Sequence, residues 1–243
     1  MNKPQPILEE IRGVLKELGS RERAVFLQRF FKTGPGEYGE GDIFLGIRVP
    51  DVRRIAKRYR DVSLGEIKGL LTSPIHEERL LALLILVGQF SRGSGVERKS
   101  IYDLYLSHTH YVNSWDLVDL SAEKIVGAFL MERKREPLYT LSRSRSLWER
   151  RIAIMSTFHF IKRNDFSDTV KIAAMLLRDE EVLIQKAVGW MLREVGKRHL
   201  PMEEAFLKSH YREMARTTLR YAIEQFPAVK RERYLKGELE LVS

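Results

Sequence analysis

The segment NSWDLVDLSAEKIVGAFL, residues 113–130, holds the residues best placed to do chemistry. Read as a helix, it carries Trp115, Val118, Ala122, Val126 and Phe129 along one apolar stripe. Asp119 follows Trp115 by four residues, so carboxylate and indole are neighbours on one helix face. Carboxylates rarely enter an apolar stripe without a partner. Asp119 is therefore a candidate for charge chemistry, and the alternative is an ion pair with an arginine of a neighbouring helix pair. A second segment, IQKAVGWMLREVG at 184–196, sets Ile184, Ala187, Val188, Met191, Leu192 and Val195 on a core face. Lys186, Trp190 and Arg193 follow a second stripe. Cations interleaved with an indole suit a nucleic-acid surface, where phosphates meet the charges and a base meets the ring. The alternative is a solvated basic edge with a tryptophan packed on the next helix pair.

A third segment, LWERRIAIMSTFHFIKR at 147–163, opens with Arg150 and Arg151. The remaining candidates are weaker. His108 and His110 lack further ligands at convincing spacing, and no cysteine is present, so a zinc site is not expected. His159 reads as filler on an amphipathic helix. The acidic pairs Glu203–Glu204 and Glu238/Glu240 read as solvated charge.

The elements that must position these residues are helices. Apolar residues recur at steps of three and four, and long alternating runs are hard to find. Helix starts are marked at Ser73–Pro74, at Pro50–Asp51 and by the capping-box spacing Ser146–Glu149. Asp179 before EEVLIQKAVGWMLREV, 180–195, puts acids in the first turn of a helix, and Gly196 can end that helix in a left-handed conformation. Small or short residues recur at Ala82, Asp119, Ala153, Ala187 and Ala222, roughly 35 residues apart, the period of a two-helix repeat. A lone helix pair cannot bury its apolar face, so pairs must stack. The expected fold is all-α: an α-solenoid, or superhelix, of HEAT-like two-helix repeats forming a single domain over 1–243. Equivalent positions of a solenoid line one surface, which would bring Asp119, Arg151, Lys186 and Trp190 onto a shared face. Two stretches break the pattern. GPGEYGEGD, 34–42, lacks the Gly-Lys-Ser/Thr of a phosphate-binding loop and reads as a mobile connection; SRGSGVERK, 91–99, reads as a linker.

Composition narrows the partner. The chain has 243 residues, with 42 Lys+Arg against 33 Asp+Glu and a net charge of +9. That balance favours an acidic partner, with nucleic acid first and a membrane surface second. With no cysteine there are no disulfides and no thiolate metal site, and nothing argues for secretion. The N-terminal residues MNKPQPILEEIRGVL lead into a helix and lack the pattern of a signal peptide. The apolar run from Leu80 to Gly88 is too short to span a bilayer. A cytoplasmic address, no cofactor and no membrane association are the expectations.

FLGIRVPDVRRIAK (44–57), NSWDLVD (113–119), RRIAI (150–154) and IQKAVGWMLRE (184–194) together resemble the AlkD family of DNA alkylation repair glycosylases. The resemblance covers most of the chain in order and approximate spacing; its poorest stretch is 34–42. It implies hydrolysis of the N-glycosidic bond of cationic purines of the 3-methyladenine and 7-methylguanine type in double-stranded DNA. It assigns the catalytic carboxylate to Asp119, the aromatic wall to Trp115 and Trp190, and an important arginine to Arg151. Arg193 matches a further DNA-contacting arginine. Phe30 corresponds to an aromatic position where the family can have tyrosine. Lys186 from the basic stripe and Arg150 beside Arg151 are added as DNA contacts, and the protein is expected to act as a monomer. Other readings are a non-catalytic module for distorted DNA, a protein-binding scaffold, and a lyase with Lys186 as Schiff-base nucleophile.

Overall fold

The structure is a computed structural model, and it describes residues 6–238. Residues 1–5, and Leu239 and Glu240 of the C-terminal acidic stretch, lie outside the described residues. The chain divides into two compact units, one ending at Ile125 and one starting at Val126. The first contains α1 (Pro6–Leu18), α2 (Arg21–Gln28), α3 (Val49–Arg58), α4 (Leu64–Leu71), α5 (His76–Arg92), α6 (Gly95–Ser107) and α7 (Trp115–Ala122). A π turn, Glu123–Gly127, follows α7. The second unit contains α8 (Ala128–Leu130), α9 (Glu136–Ser142), α10 (Leu147–Ser156), α11 (Phe158–Ile161), α12 (Ser167–Met175), α13 (Val182–Gly196), α14 (Leu200–His210), α15 (Arg216–Ala222) and α16 (Ala228–Lys236). The fold class is all-α, of the α-solenoid type. Extended pairing among the described residues is limited to one parallel bridge, Ile43 to Ile75.

The small residues spaced through the sequence mark the layers. In the first unit α5 packs on α3, α4 and α7. In the second, α10 packs on α13 and α13 on α15. Ala82, Ala153, Ala187 and Ala222 are all fully buried. Glycine tightens the crossing of α13 and α15 further: a side chain at Gly189 would run into the Thr218 carbonyl and Tyr221. The predicted core face of α13 holds, since Ile184, Ala187, Val188, Met191, Leu192 and Val195 are 0% exposed.

Several expected helix signals lie elsewhere. Helix α5 begins at His76, two residues after Pro74, with Ile75 at the cap. Ser73 instead accepts from the Ile75 N–H at 3.1 Å, closing the turn before the helix. Ser146 caps α10 by position without a side-chain cap bond. Reciprocal capping boxes form at Ser63/Glu66 and Ser94/Glu97. The expected linker at 91–99 shrinks to Gly93 and Ser94, between α5 and α6.

Gly196 is the last residue of α13 and is not left-handed. It is small because the Glu203 carboxyl occupies the space a side chain would take. Glu203 is accordingly not solvated charge: it is 2% exposed, and burial, reinforced by the charge of Glu204, pushes its carboxyl up to about 8. An acid raised in the folded state withdraws stability as pH climbs from its unfolded value, near 4.5, towards 8. Denaturation of Glu203→Gln across pH 5–8.5 is therefore expected to show a flatter profile than the wild type, by on the order of a few kcal/mol across the window. Parallel profiles would remove the buried-carboxyl account.

Candidate functional site

Helix α5 enters the first unit with four consecutive charged residues, His76, Glu77, Glu78 and Arg79, each 2–3% exposed. Ionised groups so placed need partners, and each has one. Glu77 accepts from the backbone N–H groups of Leu45, Gly46 and Ile47 at 2.9, 2.8 and 3.2 Å. This ties down the FLGI turn, where Gly46 has φ +77° and lies against Ser20 and Ala24. Glu78 pairs with Arg12 at 3.1 Å. Arg79 pairs with Asp42 at 2.6 Å and donates to the Ser73 carbonyl at 2.8 Å.

His76 sits between two carboxylates. Its Nε2 is 2.8 Å from Asp116 Oδ2, and its Nδ1 is 3.6 Å from Asp42 Oδ2. Asn113 donates to the other oxygen of Asp42 at 3.3 Å. Burial alone would strip the proton from His76, but the hydrogen bond to Asp116, the close Asp42 carboxylate and the charge of Asp116 hold its pKa at about 9. Burial would raise Asp42 and Asp116, and the imidazolium outweighs it, helped at Asp42 by Arg79; both stay below the usual carboxylate range.

An aromatic stack stands on this cluster. The His76 ring lies on Phe44 at 4.6 Å and 17°. Phe44 meets Phe31 at 4.9 Å, and Phe31 stacks on Trp115 at 5.4 Å and 12°. Burial pushes the Tyr38 phenol above its ordinary value.

Asp119 and Trp115 both lie on α7 and are half-buried. Asp119 is close enough to the buried Tyr105 to add to the rise of its phenol, which burial mainly causes. Tyr105 itself bonds Ser121 at 3.0 Å. The deeply buried acid of the motif is Asp116, 8% exposed and paired with His76. Phe30 is 60% exposed and stands edge-on to Phe26, whereas its neighbour Phe31 is the residue on Trp115.

In the second unit, Arg150 and Arg151 hold the start of α13. Arg150 pairs with Asp179 at 2.6 Å and donates to the Ser144 and Arg145 carbonyls. Arg151, 5% exposed, donates to the Leu183 carbonyl. On α13, Lys186 stands 6.0 Å from the centre of the Tyr221 ring. Trp190 donates to Glu194 at 3.3 Å and packs on Phe158 at 6.1 Å. Arg193 pairs with Glu224. Lys186, Trp190 and Arg193 are half-exposed along one stripe, while Arg150 and Arg151 are engaged with backbone and Asp179 beneath it. No group of three metal-ligating side chains occurs among the described residues, and no described helix is long and apolar enough to cross a membrane.

Spacing alone does not reveal His76, Asp42 and Phe31, because their partners are distant in sequence. One signal is present: four successive charges heading the longest apolar run, where a helix buried on all sides leaves no face for solvated charge.

The profile of the family described as DNA alkylation repair enzyme matches residues 11–226. The structure of a predicted DNA alkylation repair enzyme from Enterococcus faecalis shares the fold at a TM-score of 0.66 and 18% identity, covering 86% of this chain and 97% of that one. The protein smu.31 from Streptococcus mutans aligns at 15% identity and a TM-score of 0.47, over 97% of this chain and 99% of that one. No curated protein matches the chain.

The His76 cluster has a pH signature. Its imidazolium, raised to about 9, contributes stability fully present below its unfolded value near 6.5 and lost as pH rises through 9. Asp42 and Asp116, held low, contribute stability that is lost on acidification. Replacing His76 by Leu strands the buried Asp116 carboxylate, while Asp42 keeps Arg79, and is expected to cost about 3–5 kcal/mol near pH 6. In urea denaturation the gap to wild type narrows towards pH 9.5; a gap independent of pH would show that His76 is not a buried cation.

Proposed function

This chain belongs to the family of DNA alkylation repair enzymes, and on that premise we propose that it is a DNA glycosylase hydrolysing the N-glycosidic bond of cationic alkylated purines, of the 3-methyladenine and 7-methylguanine type, in duplex DNA. The observation that carries the reading is the half-buried Asp119, one helical turn from the half-buried Trp115 on α7.

An alkylated purine already bears positive charge, so it leaves without being protonated. The N-glycosidic bond breaks with its electron pair passing to the base, which departs neutral, and positive charge develops on the deoxyribose. A carboxylate beside the sugar stabilises that charge. It also accepts a hydrogen bond from the water that bonds to C1′ and takes the proton that water loses, as the acidic residues of glycoside hydrolases do. Trp115 and Trp190 offer electron-rich faces to the cationic lesion, worth about 0.5–2 kcal/mol each. The net charge of +9 supports attraction to DNA. Lys186 and Arg193 are the proposed phosphate contacts, fixing register without reading sequence. Arg150 and Arg151 act in this reading through α13, whose start they hold.

Incubating the protein with methylated duplex DNA and identifying released bases tests the activity. Asp119→Asn is expected to bind the duplex with affinity within a few-fold of wild type and to lose base release by at least about a hundredfold. Release by the variant at the wild-type rate would end the assignment of Asp119.

A further inference from the structure

Trp190 sets its one polar atom, the indole N–H, against a buried acid one turn further along α13. Its Nε1 donates to Glu194 Oε1 at 3.3 Å, while Phe158 packs on the ring at 6.1 Å. Glu194 is 7% exposed. Two cations fix its carboxylate: Lys197 donates to Oε1 at 2.7 Å and Arg198 to Oε2 at 3.2 Å. Arg198 also donates to the Glu194 carbonyl at 3.1 Å, satisfying an acceptor of the helix's last turn. Burial works against ionisation of Glu194, but the hydrogen bond and charge of Lys197, with the bonds from Arg198 and Trp190, hold its pKa below the usual carboxylate range.

Satisfying an indole N–H takes no charge. A backbone carbonyl, a glutamine or a water serves, and each costs less to bury than a carboxylate. What the acid adds is a negative charge held at the edge of the ring. Lys197 and Arg198 do not cancel it there. Their side chains are 44% and 30% exposed against 10% for Glu194, so water screens the cations more than it screens the carboxylate beside the indole. An N–H donated to an anion leaves more electron density in the ring, and that density is what draws a cation to an aromatic face.

We propose that Glu194 is a specificity-determining residue, its carboxylate enriching the Trp190 face so that the ring favours a cationic purine over a neutral one of the same shape. The inference rests on the glycosylase reading for its substrate, a positively charged base, but not for the pairing of indole and carboxylate. A cationic base gains from the enriched face and from the nearby charge. A neutral base stacks on the indole with or without that charge, so the acid changes the difference between the two bases rather than the affinity for duplex DNA.

The test uses the full-length chain carrying Glu194→Gln, which keeps the acceptor and the shape of the side chain and deletes the charge. Binding is compared on two duplexes that differ in one base: 7-methylguanine on a 2′-fluoro deoxyribose, which is cationic and resists hydrolysis, and 7-deaza-7-methylguanine, which is neutral. The wild type is expected to prefer the cationic duplex, and Glu194→Gln to lose about threefold of that preference with affinity for the neutral duplex within twofold. The indole N–H resonance of Trp190, assigned with Trp190→Phe, is expected to move upfield while those of Trp115 and Trp148 stay. Lys197→Gln, which removes a cation and leaves the acid, is expected to keep the preference at or above that of the wild type. An unchanged preference or an unmoved Trp190 resonance in Glu194→Gln, equal losses on both duplexes, or a matching fall in Lys197→Gln overturns the proposal. So does a wild type that binds the two duplexes alike. Should the wild type release no base yet prefer the cationic duplex, the glycosylase reading fails alone, and the preferences of the two variants still decide the role of Glu194.

Discussion

The first unit depends on a charge balance that has little access to water. His76 and Arg79 bring two positive charges to the start of α5, and Asp42 and Asp116 bring two negative ones. Each group carries a desolvation cost that the others largely offset. Removing any one leaves a buried charge uncompensated, so the four act as one unit. The consequence is geometric. Asp42 belongs to the segment before α3, His76 and Arg79 to α5, and Asp116 to the first turn of α7. Satisfying the charges therefore fixes where α7 begins, and with it Trp115 and Asp119. Glu77 does the same for the FLGI turn, since one carboxylate collects three backbone N–H groups that the turn leaves unpaired.

The second unit uses charge in the same way at lower depth. Arg150 engages Asp179 through two nitrogens and two further carbonyls, a task suited to a planar guanidinium with several fixed donors. Glu194 joins Trp190, Lys197 and Arg198 on one face of α13, so the indole's N–H is held by an acid that two cations keep ionised. In both units a tryptophan on a layer-forming helix packs against a phenylalanine, Phe31 in one and Phe158 in the other.

What the sequence disclosed and what it hid divide along contact range. Helix type, the buried alanines and the core face of α13 depend on steps of three and four within one helix, and these were legible. Gly196 was recognised as a special position but for the wrong reason, because the space it leaves serves Glu203 on the next helix. Glu203 read as solvent-facing for the same reason. Within the motif, Trp115 and Asp119 stood out, but Asp116, the acid that holds α7 in place, looked like an ordinary first-turn residue until His76 was brought to it from 40 positions away. Which ring of the Phe30–Phe31 pair meets Trp115 turns on where α2 ends, and helix ends are the least determined feature of a periodic pattern.

The charge balance also bears on the chemistry proposed for the site. A glycosylase acting on cationic bases must avoid setting a fixed positive charge against its substrate. His76 is an imidazolium beneath the stack that ends in Trp115, and alone it would repel a cationic lesion through a low-dielectric path. Asp42 and Asp116 cancel His76 and Arg79, so the cluster presents little net charge at a distance. What remains along the stack is a run of electron-rich ring faces leading to Trp115. The cluster can thus supply rigidity without opposing the charge that the reaction generates, and the electrostatic stabilisation of that charge is left to Asp119.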